Sequence, residues 1–295
     1  MLSSKNKTKE SEVNQSVKWE KKESLKKTSI DGTKSIFSDE GGSPFKSEEK
    51  FNLAGALGKT KESMENDFYV FQIKEFMSKI GQAYLPPVPN FNQVENDFIQ
   101  LERLCAVDVL TTPVVFKEFV RRRPNLFSRV GKTVLIDYPY GESTPKARLT
   151  EIKELIKLGV KNVVAMVPCS MENLNVLEGV KSSFKKLSKK VGEHFSIGVL
   201  SNNGEEQVKK IMKEFATNKA ESFTLFCEGL TGAKLKATVK YAVESKGGKK
   251  LFIYTDVKSL SELSEITELG VDKVYTSNTV QIGMELADKF GVTLI

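Results

Sequence analysis

The chain has 295 residues, with 45 Lys+Arg against 38 Asp+Glu, a formal charge of +7, one His and three Cys. Its apolar runs are strand-length, short of the ~18 residues a membrane span needs, and the opening MLSSKNKTKE has no apolar stretch behind it, which argues against a secretory signal. Cys105, Cys169 and Cys227 are too scattered for a disulfide framework or a zinc site, and one histidine excludes chemistry built on imidazole pairs, so a cytoplasmic protein without metal or cofactor is expected.

Residues 1–50 crowd Lys, Ser and Glu around a few apolar residues that follow no sustained period. Too little apolar surface is present to offset the entropy of ordering, so a disordered tail is expected over 1–60, ahead of a folded part over 61–295. Phe68, Phe71, Ile73, Phe76, Met77 and Ile80 recur at helical spacing and predict a leading amphipathic helix over 68–80.

Beyond it the pattern becomes regular. Short β-branched runs stand at 104–111, 133–138, 162–167, 196–200, 222–227, 251–255 and 273–276, with a weaker one at 82–85. Amphipathic segments with start signals lie between them: Thr144-Pro145 before 146–158, Ser170 before 171–191, Asn203 before 205–215 and Ser259 before 260–269. Glycines close several of these segments, as in LIKLGVKNVVAMV and ITELGVDKVYTS. Strand, helix, strand in repetition predicts parallel βαβ units, and eight such strands predict a (β/α)8 TIM barrel. An open doubly wound sheet is the second choice, disfavoured because no Gly-rich loop follows the first strand.

A barrel of this kind places its chemistry at the C-terminal ends of the strands. The residues offered there include Thr111, Thr112, Tyr138 to Gly141, Cys169, Ser201 to Asn203, Cys227, Glu228, Asp256 and Thr276 to Asn278. His194 precedes its strand and falls at the opposite end. Lys132, Lys161, Lys249, Lys250 and Lys273 stand at strand starts, so no lysine is placed to act as a desolvated amine in the mouth. Without a base beside them, the thiols read as inert. Asp137, Glu228 and Asp256 are spread over three strands, a weak pattern for a hard cation.

The stretch TVLIDYPYGESTPKARLTEIKELIKLGVKNVVAMV resembles the deoxyribose-phosphate aldolase family, whose third strand ends in a Phe-Pro-x-Gly turn. Here that turn reads Tyr138-Pro139-Tyr140-Gly141. VLTTP at 109–113, AESFTLFCEG at 220–229 and KLFIYTDVKSLSELSEITELGVDKVYTSNTV at 250–280 extend the likeness through the second, sixth, seventh and eighth strands. The family's members are class I aldolases that cleave 2-deoxyribose 5-phosphate into glyceraldehyde 3-phosphate and acetaldehyde.

The resemblance implies a sixth-strand Schiff-base lysine at Leu225 and a second lysine at Phe252, or at Ile253 one residue on. It implies an aspartate at Val164 or Ala165, and a first-strand aspartate near Gly81. None of these carries the reactive group. The glycine pair of the family's phosphate cup reads Asp256-Val257, which leaves Thr276, Ser277 and Asn278 as a vestigial phosphate site. Losing the nucleophile removes the imine pathway altogether.

The reading is therefore a non-catalytic aldolase-fold protein that binds or scaffolds a partner, similar to tailed aldolase-like proteins of apicomplexan protists. Class I aldolases are associated with actin filaments, which makes acidic actin the partner to name. The candidate contacts are Arg121, Arg122 and Arg123, then Lys185, Lys186, Lys189 and Lys190, then Lys249 and Lys250. A sugar-phosphate lyase with relocated catalytic groups, for instance one using Lys258, is the alternative. Nucleic-acid binding ranks last, because no aromatic platform interleaves the lysines.

Overall fold

A computed structural model describes residues 61–85, 90–104, 108–124, 130–168 and 174–291. The expected tail lies outside these residues, as do Cys105, Cys169 and Ser170. Eight parallel strands close on themselves in chain order: β1 (Ile80–Tyr84), β2 (Asp108–Thr111), β3 (Gly131–Ile136), β4 (Asn162–Met166), β5 (Phe195–Leu200), β6 (Ser222–Phe226), β7 (Lys250–Tyr254) and β8 (Lys273–Thr276). The first strand pairs with the last, Gly81 opposite Tyr275, so no edge is left open.

The helices are α1 (Lys61–Met77), α2 (Phe91–Arg103), α3 (Pro113–Arg122), α4 (Pro145–Lys157), α5 (Leu174–Val191), α6 (Glu205–Phe215), α7 (Gly232–Ser245), α8 (Leu260–Thr267) and α9 (Thr279–Phe290). Local chemistry starts several of them. The Thr144 side chain accepts from the Ala147 N–H, with Pro145 in the first turn, and Ser259 caps α8 by accepting from Glu262. α6 is opened by Gly204 at φ 83°, a left-handed position, rather than by Asn203.

Several expected boundaries shift. Leu104 caps the C-terminus of α2, so the second strand begins at Asp108. Ile80 belongs to β1, since the leading helix ends at Met77, and Phe71 of the expected apolar stripe is exposed. β3 stops at Ile136, since Asp137 takes φ 62° and turns the chain out of the sheet.

The barrel is solid. Ala83, Leu110, Leu135, Val164, Met166, Leu200, Phe226 and Tyr275 form one buried cluster, with Tyr138, Phe252 and Tyr254 packed against it. These residues alternate along their strands, so they mark the inward face, and their intervening neighbours face the helices. No helix among the described residues is long and apolar enough to cross a membrane.

Candidate functional site at the barrel mouth

The C-terminal ends of β1, β6, β7 and β8, with the start of α2, line a cleft of about 480 Å³. Ala83 forms part of its wall, and Tyr254, Gln82, Asp97, Glu228 and Asp256 bring the polar groups. Each carboxylate is held by neutral donors. Asp97 accepts from Tyr84 Oη at 3.2 Å and from Gln93 Nε2 at 2.9 Å. Asp256 Oδ1 accepts from Asn278 Nδ2 at 3.0 Å and from Ser277 Oγ at 3.4 Å. Glu228 accepts the hydroxyl of Tyr138.

Burial pushes the Glu228 carboxyl above the usual range. The Tyr254 phenol is pushed up to about 12, first by burial and then by the charges of Glu228 and Asp256. Both carboxylates therefore act on one phenol at the centre of the mouth.

The loop carrying Tyr138 is fixed from below. Arg148 donates to Asp137 and to the Gly141 carbonyl, and both charged side chains are almost wholly buried. Its guanidinium carbon also lies 5.4 Å from the Phe184 ring centre. This clasp occupies Asp137, which removes it from any cation site; among the described residues no three His, Cys, Asp or Glu side chains group so as to hold a metal ion.

Below the mouth the inner wall is aromatic and aliphatic. Tyr138 and Tyr254 flank Phe226, with ring centres at 5.6 and 5.9 Å. Deeper, Phe252 meets Tyr275 edge-on at 6.4 Å. The floor is an ionic knot. Asp108 accepts from Tyr275 Oη at 2.6 Å, Lys273 Nζ at 2.9 Å and Thr133 Oγ1 at 3.0 Å. Lys273 thus places an amine inside the barrel, but beneath the Tyr275 ring and bound to a carboxylate.

Comparison of the chain with family models yields no match, and none of the curated proteins matches it. Solved structures do. An aldolase designated QR15 superposes with a TM-score of 0.62 at 18% identity, over 72% of this chain and 96% of that one. Deoxyribose phosphate aldolase from Aeropyrum pernix gives 0.60 at 16% identity, over 77% and 96%. A Toxoplasma gondii ME49 protein described as a provisional deoxyribose-phosphate aldolase gives 0.60 at 14%, over 76% and 97%. The chain has the fold of the deoxyribose-phosphate aldolases.

Against that aldolase fold, the expected positions separate by orientation. Leu225 is fully buried but lies between the inward residues Thr224 and Phe226, so it faces the helices. A β6 group reaching the barrel interior comes from Thr224 or Phe226. Thr224 is tied to Ser196, oxygen to oxygen, at 2.7 Å, and neither residue is an amine. Val164 and Phe252 do face inward, whereas Ala165 and Ile253 alternate outward. A Cβ on Gly81 would lie 2.4 Å from the Tyr275 ring, so the ring fills the space a side chain would take there.

The expected phosphate donors are engaged elsewhere. Thr276 Oγ1 donates to the Val257 carbonyl at 3.0 Å, and Asn278 Nδ2 donates to that carbonyl at 2.8 Å as well as to Asp256. Ser277 turns to Asp256 too. Residues that would bind an external anion hold an internal one. Lys258 is largely exposed and lies 3.7 Å from Asp256.

The basic clusters divide in the same way. Arg121 and Arg122 share Glu118, and Arg123 bonds Glu95 through two nitrogens at 3.1 Å. Lys249 donates to the Asn218 and Ala220 carbonyls, at 2.6 and 2.7 Å, and Lys250 pairs with Glu221. Four of these five cations are balanced by carboxylates and the fifth closes a strand start. Lys185, Lys186, Lys189 and Lys190 instead line the exposed face of α5, whose opposite face buries Phe184 and Leu187.

Cys227 follows β6 fully buried, and burial pushes its thiol up to about 12, which leaves it protonated and unreactive at neutral pH. The sequence reading missed the Arg148 clasp, although a signal for it existed. Arg148, Ile152 and Leu155 share one helical stripe, and an arginine on a buried stripe requires a buried anion. Gln82, Tyr84 and Asp97 had no such signal, since their meeting depends on how α2 packs beside β1.

Proposed function

We propose that this chain is a non-catalytic aldolase-fold protein that works by binding an acidic protein partner, with actin as the candidate, through the lysine face of α5. The observation carrying the first half is the composition of the inner wall. From mouth to floor the inward residues are apolar, aromatic or hydroxylic, and the amine of Lys273 is committed to Asp108 below Tyr275. Imine catalysis needs an unprotonated amine open to the substrate carbonyl. On strand β6 the resemblance calls for a nucleophile at Leu225, and neither Leu225 nor its inward neighbours Thr224 and Phe226 is an amine; on β4 Val164 or Ala165 stands where it calls for a proton carrier.

The second half rests on charge for which the described residues show no ion-pair partner. α5 presents Lys185, Lys186, Lys189 and Lys190 on consecutive turns of one exposed face, a spacing that favours an extended acidic surface over a point ligand. The arginine cluster on α3 and the pair at the start of β7 contribute less, because their partners lie within the fold.

The test is an aldol-cleavage assay with 2-deoxyribose 5-phosphate, paired with borohydride trapping and intact-mass measurement. The expected result is no turnover and an unmodified mass; a trapped adduct establishes the lyase alternative, and the modified lysine identifies its site. Actin co-sedimentation across a salt series tests the partner. Retention is expected to fall steeply as ionic strength rises and to be lost when the four α5 lysines are replaced by alanine. Salt-independent sedimentation, or none at low salt, overturns the assignment to actin.

A further inference from the structure

The pole opposite the mouth, where strands begin and helices end, carries a basic patch that reaches beyond the α5 lysines. Thr133 pairs with Asn162 on the neighbouring strand, so Lys132 and Lys161, each one residue earlier, start β3 and β4 side by side. Partial burial and then the charge of Lys161 hold the Lys132 ammonium below its ordinary range, so the two cations lie within electrostatic reach. α4 packs beside α5, and Lys157 in the last turn of one and Lys189 and Lys190 in the last turn of the other border the same pole. Residues 130–136, 155–163 and 183–192 include no acid. Asp137, Glu154 and Glu193 stand at their margins, the first two already paired with Arg148 and Lys117.

Two apolar side chains interrupt this charge. Ile156 is 37% and Leu158 41% exposed, with Lys157 between them. The way α4 ends shows that neither serves to close the helix. Gly159, at φ 86°, lets the Val160 N–H reach the Leu155 carbonyl while its own N–H reaches that of Ile156. In a close of this kind the packed pair is Leu155 and Val160, and both are buried. Ile156 and Leu158 lie outside that pair, and their exposure forgoes the free energy that burial would give.

We infer that this pole docks on an anionic lipid surface, with Ile156 and Leu158 entering among the headgroups and Lys132, Lys157, Lys161, Lys189 and Lys190 meeting the lipid anions around them. The attachment is peripheral, and no helix among the described residues is long and apolar enough to cross the bilayer. Charge alone suits any polyanion. The apolar pair selects a bilayer, whose interface accepts apolar side chains next to cations. A nucleic acid suits the patch less well, because it exposes no aromatic ring on which a base could stack. The inference goes beyond the actin assignment, which uses the α5 lysines and has no role for Ile156 and Leu158.

The test is flotation of the full chain with vesicles of phosphatidylcholine alone and of phosphatidylcholine with phosphatidylserine, at low and then physiological salt. Retention on the serine-containing vesicles only is expected, weakening as salt rises. Lys157→Ala and Lys161→Ala should each lower the affinity about fivefold, the scale of one cation at an anionic membrane surface. The double variant Ile156→Ser with Leu158→Ser should lower it about tenfold or more and leave actin co-sedimentation unchanged, which separates the two surfaces. All four positions are exposed, and unfolding midpoints establish that the variants fold. Equal retention on both vesicle types, none on the anionic ones, or undiminished retention of the serine double variant overturns the inference. So does capture of a single-stranded oligonucleotide in place of the vesicles, which would make the patch a nucleic-acid surface.

Discussion

The floor and the mouth of the barrel both hold carboxylates, and they hold them to opposite ends. At the floor Asp108 meets a lysine, a phenol and a threonine hydroxyl, all within 3.0 Å, and the knot is sealed by the Tyr275 ring. At the mouth Asp97, Glu228 and Asp256 meet mainly neutral donors beside an open cleft. A buried anion with its own cation closes a structure, whereas an oriented anion without one is available to a ligand. The same residue type serves stability or recognition according to its partner, which is why the Asp137–Arg148 pair belongs with the floor although it sits under the mouth.

That distinction breaks first at the buried pairs. Arg148→Ala strands Asp137 as an uncompensated buried charge, and the expected loss is about 3–5 kcal/mol in denaturant unfolding. A loss under about 1 kcal/mol would place the pair with the exposed carboxylates instead. Less severe is Gly81→Ala, whose Cβ collides with the Tyr275 ring above Asp108. Overpacking of this kind should cost about 1–3 kcal/mol, and combining it with Tyr275→Leu should recover part of that loss if the ring is the obstacle.

The smallest effect tests the mouth. Burial holds the folded-state pKa of Glu228 above its unfolded value, so stability is greatest below the unfolded carboxyl pKa and declines as pH rises through the folded one. Glu228→Gln should remove that decline, leaving the variant slightly more stable at pH 7 and equal to wild type in acid. Urea melts at a series of pH values read the difference directly. A variant less stable at pH 7 would mean that the ionised carboxylate is a structural element.

Much of the barrel was legible in the sequence because its signals are local. Glycine after a helix, a capping threonine or serine, and short β-branched runs each act within a few residues, and their alternation predicted β3 to β8 within a few positions. The boundaries that failed, at Leu104, Ile80 and Asp137, are those where an apolar residue suits either element or where a positive φ ends a strand early. Which face Leu225 takes was not legible either. β6 buries both of its faces, so the alternation of Ser222 and Thr224 with Phe223 and Leu225 does not by itself say which set turns inward.

The candidate site was less legible. Residue types at the strand ends could be read off, including Glu228 and Asp256. Which cation meets which anion could not. Arg121, Arg122 and Arg123 look like a binding patch until Glu118 and Glu95 are placed beside them, and Thr276 to Asn278 look like phosphate donors until Asp256 and the Val257 carbonyl are found to occupy them. The sequence alone determined the alternation of strand and helix and the barrel that follows, since hydrophobic period and capping are properties of neighbours along the chain. Tertiary structure alone decided which charges are spent and which are free, because pairs such as Asp108 with Lys273 lie 165 residues apart and meet only when the barrel closes.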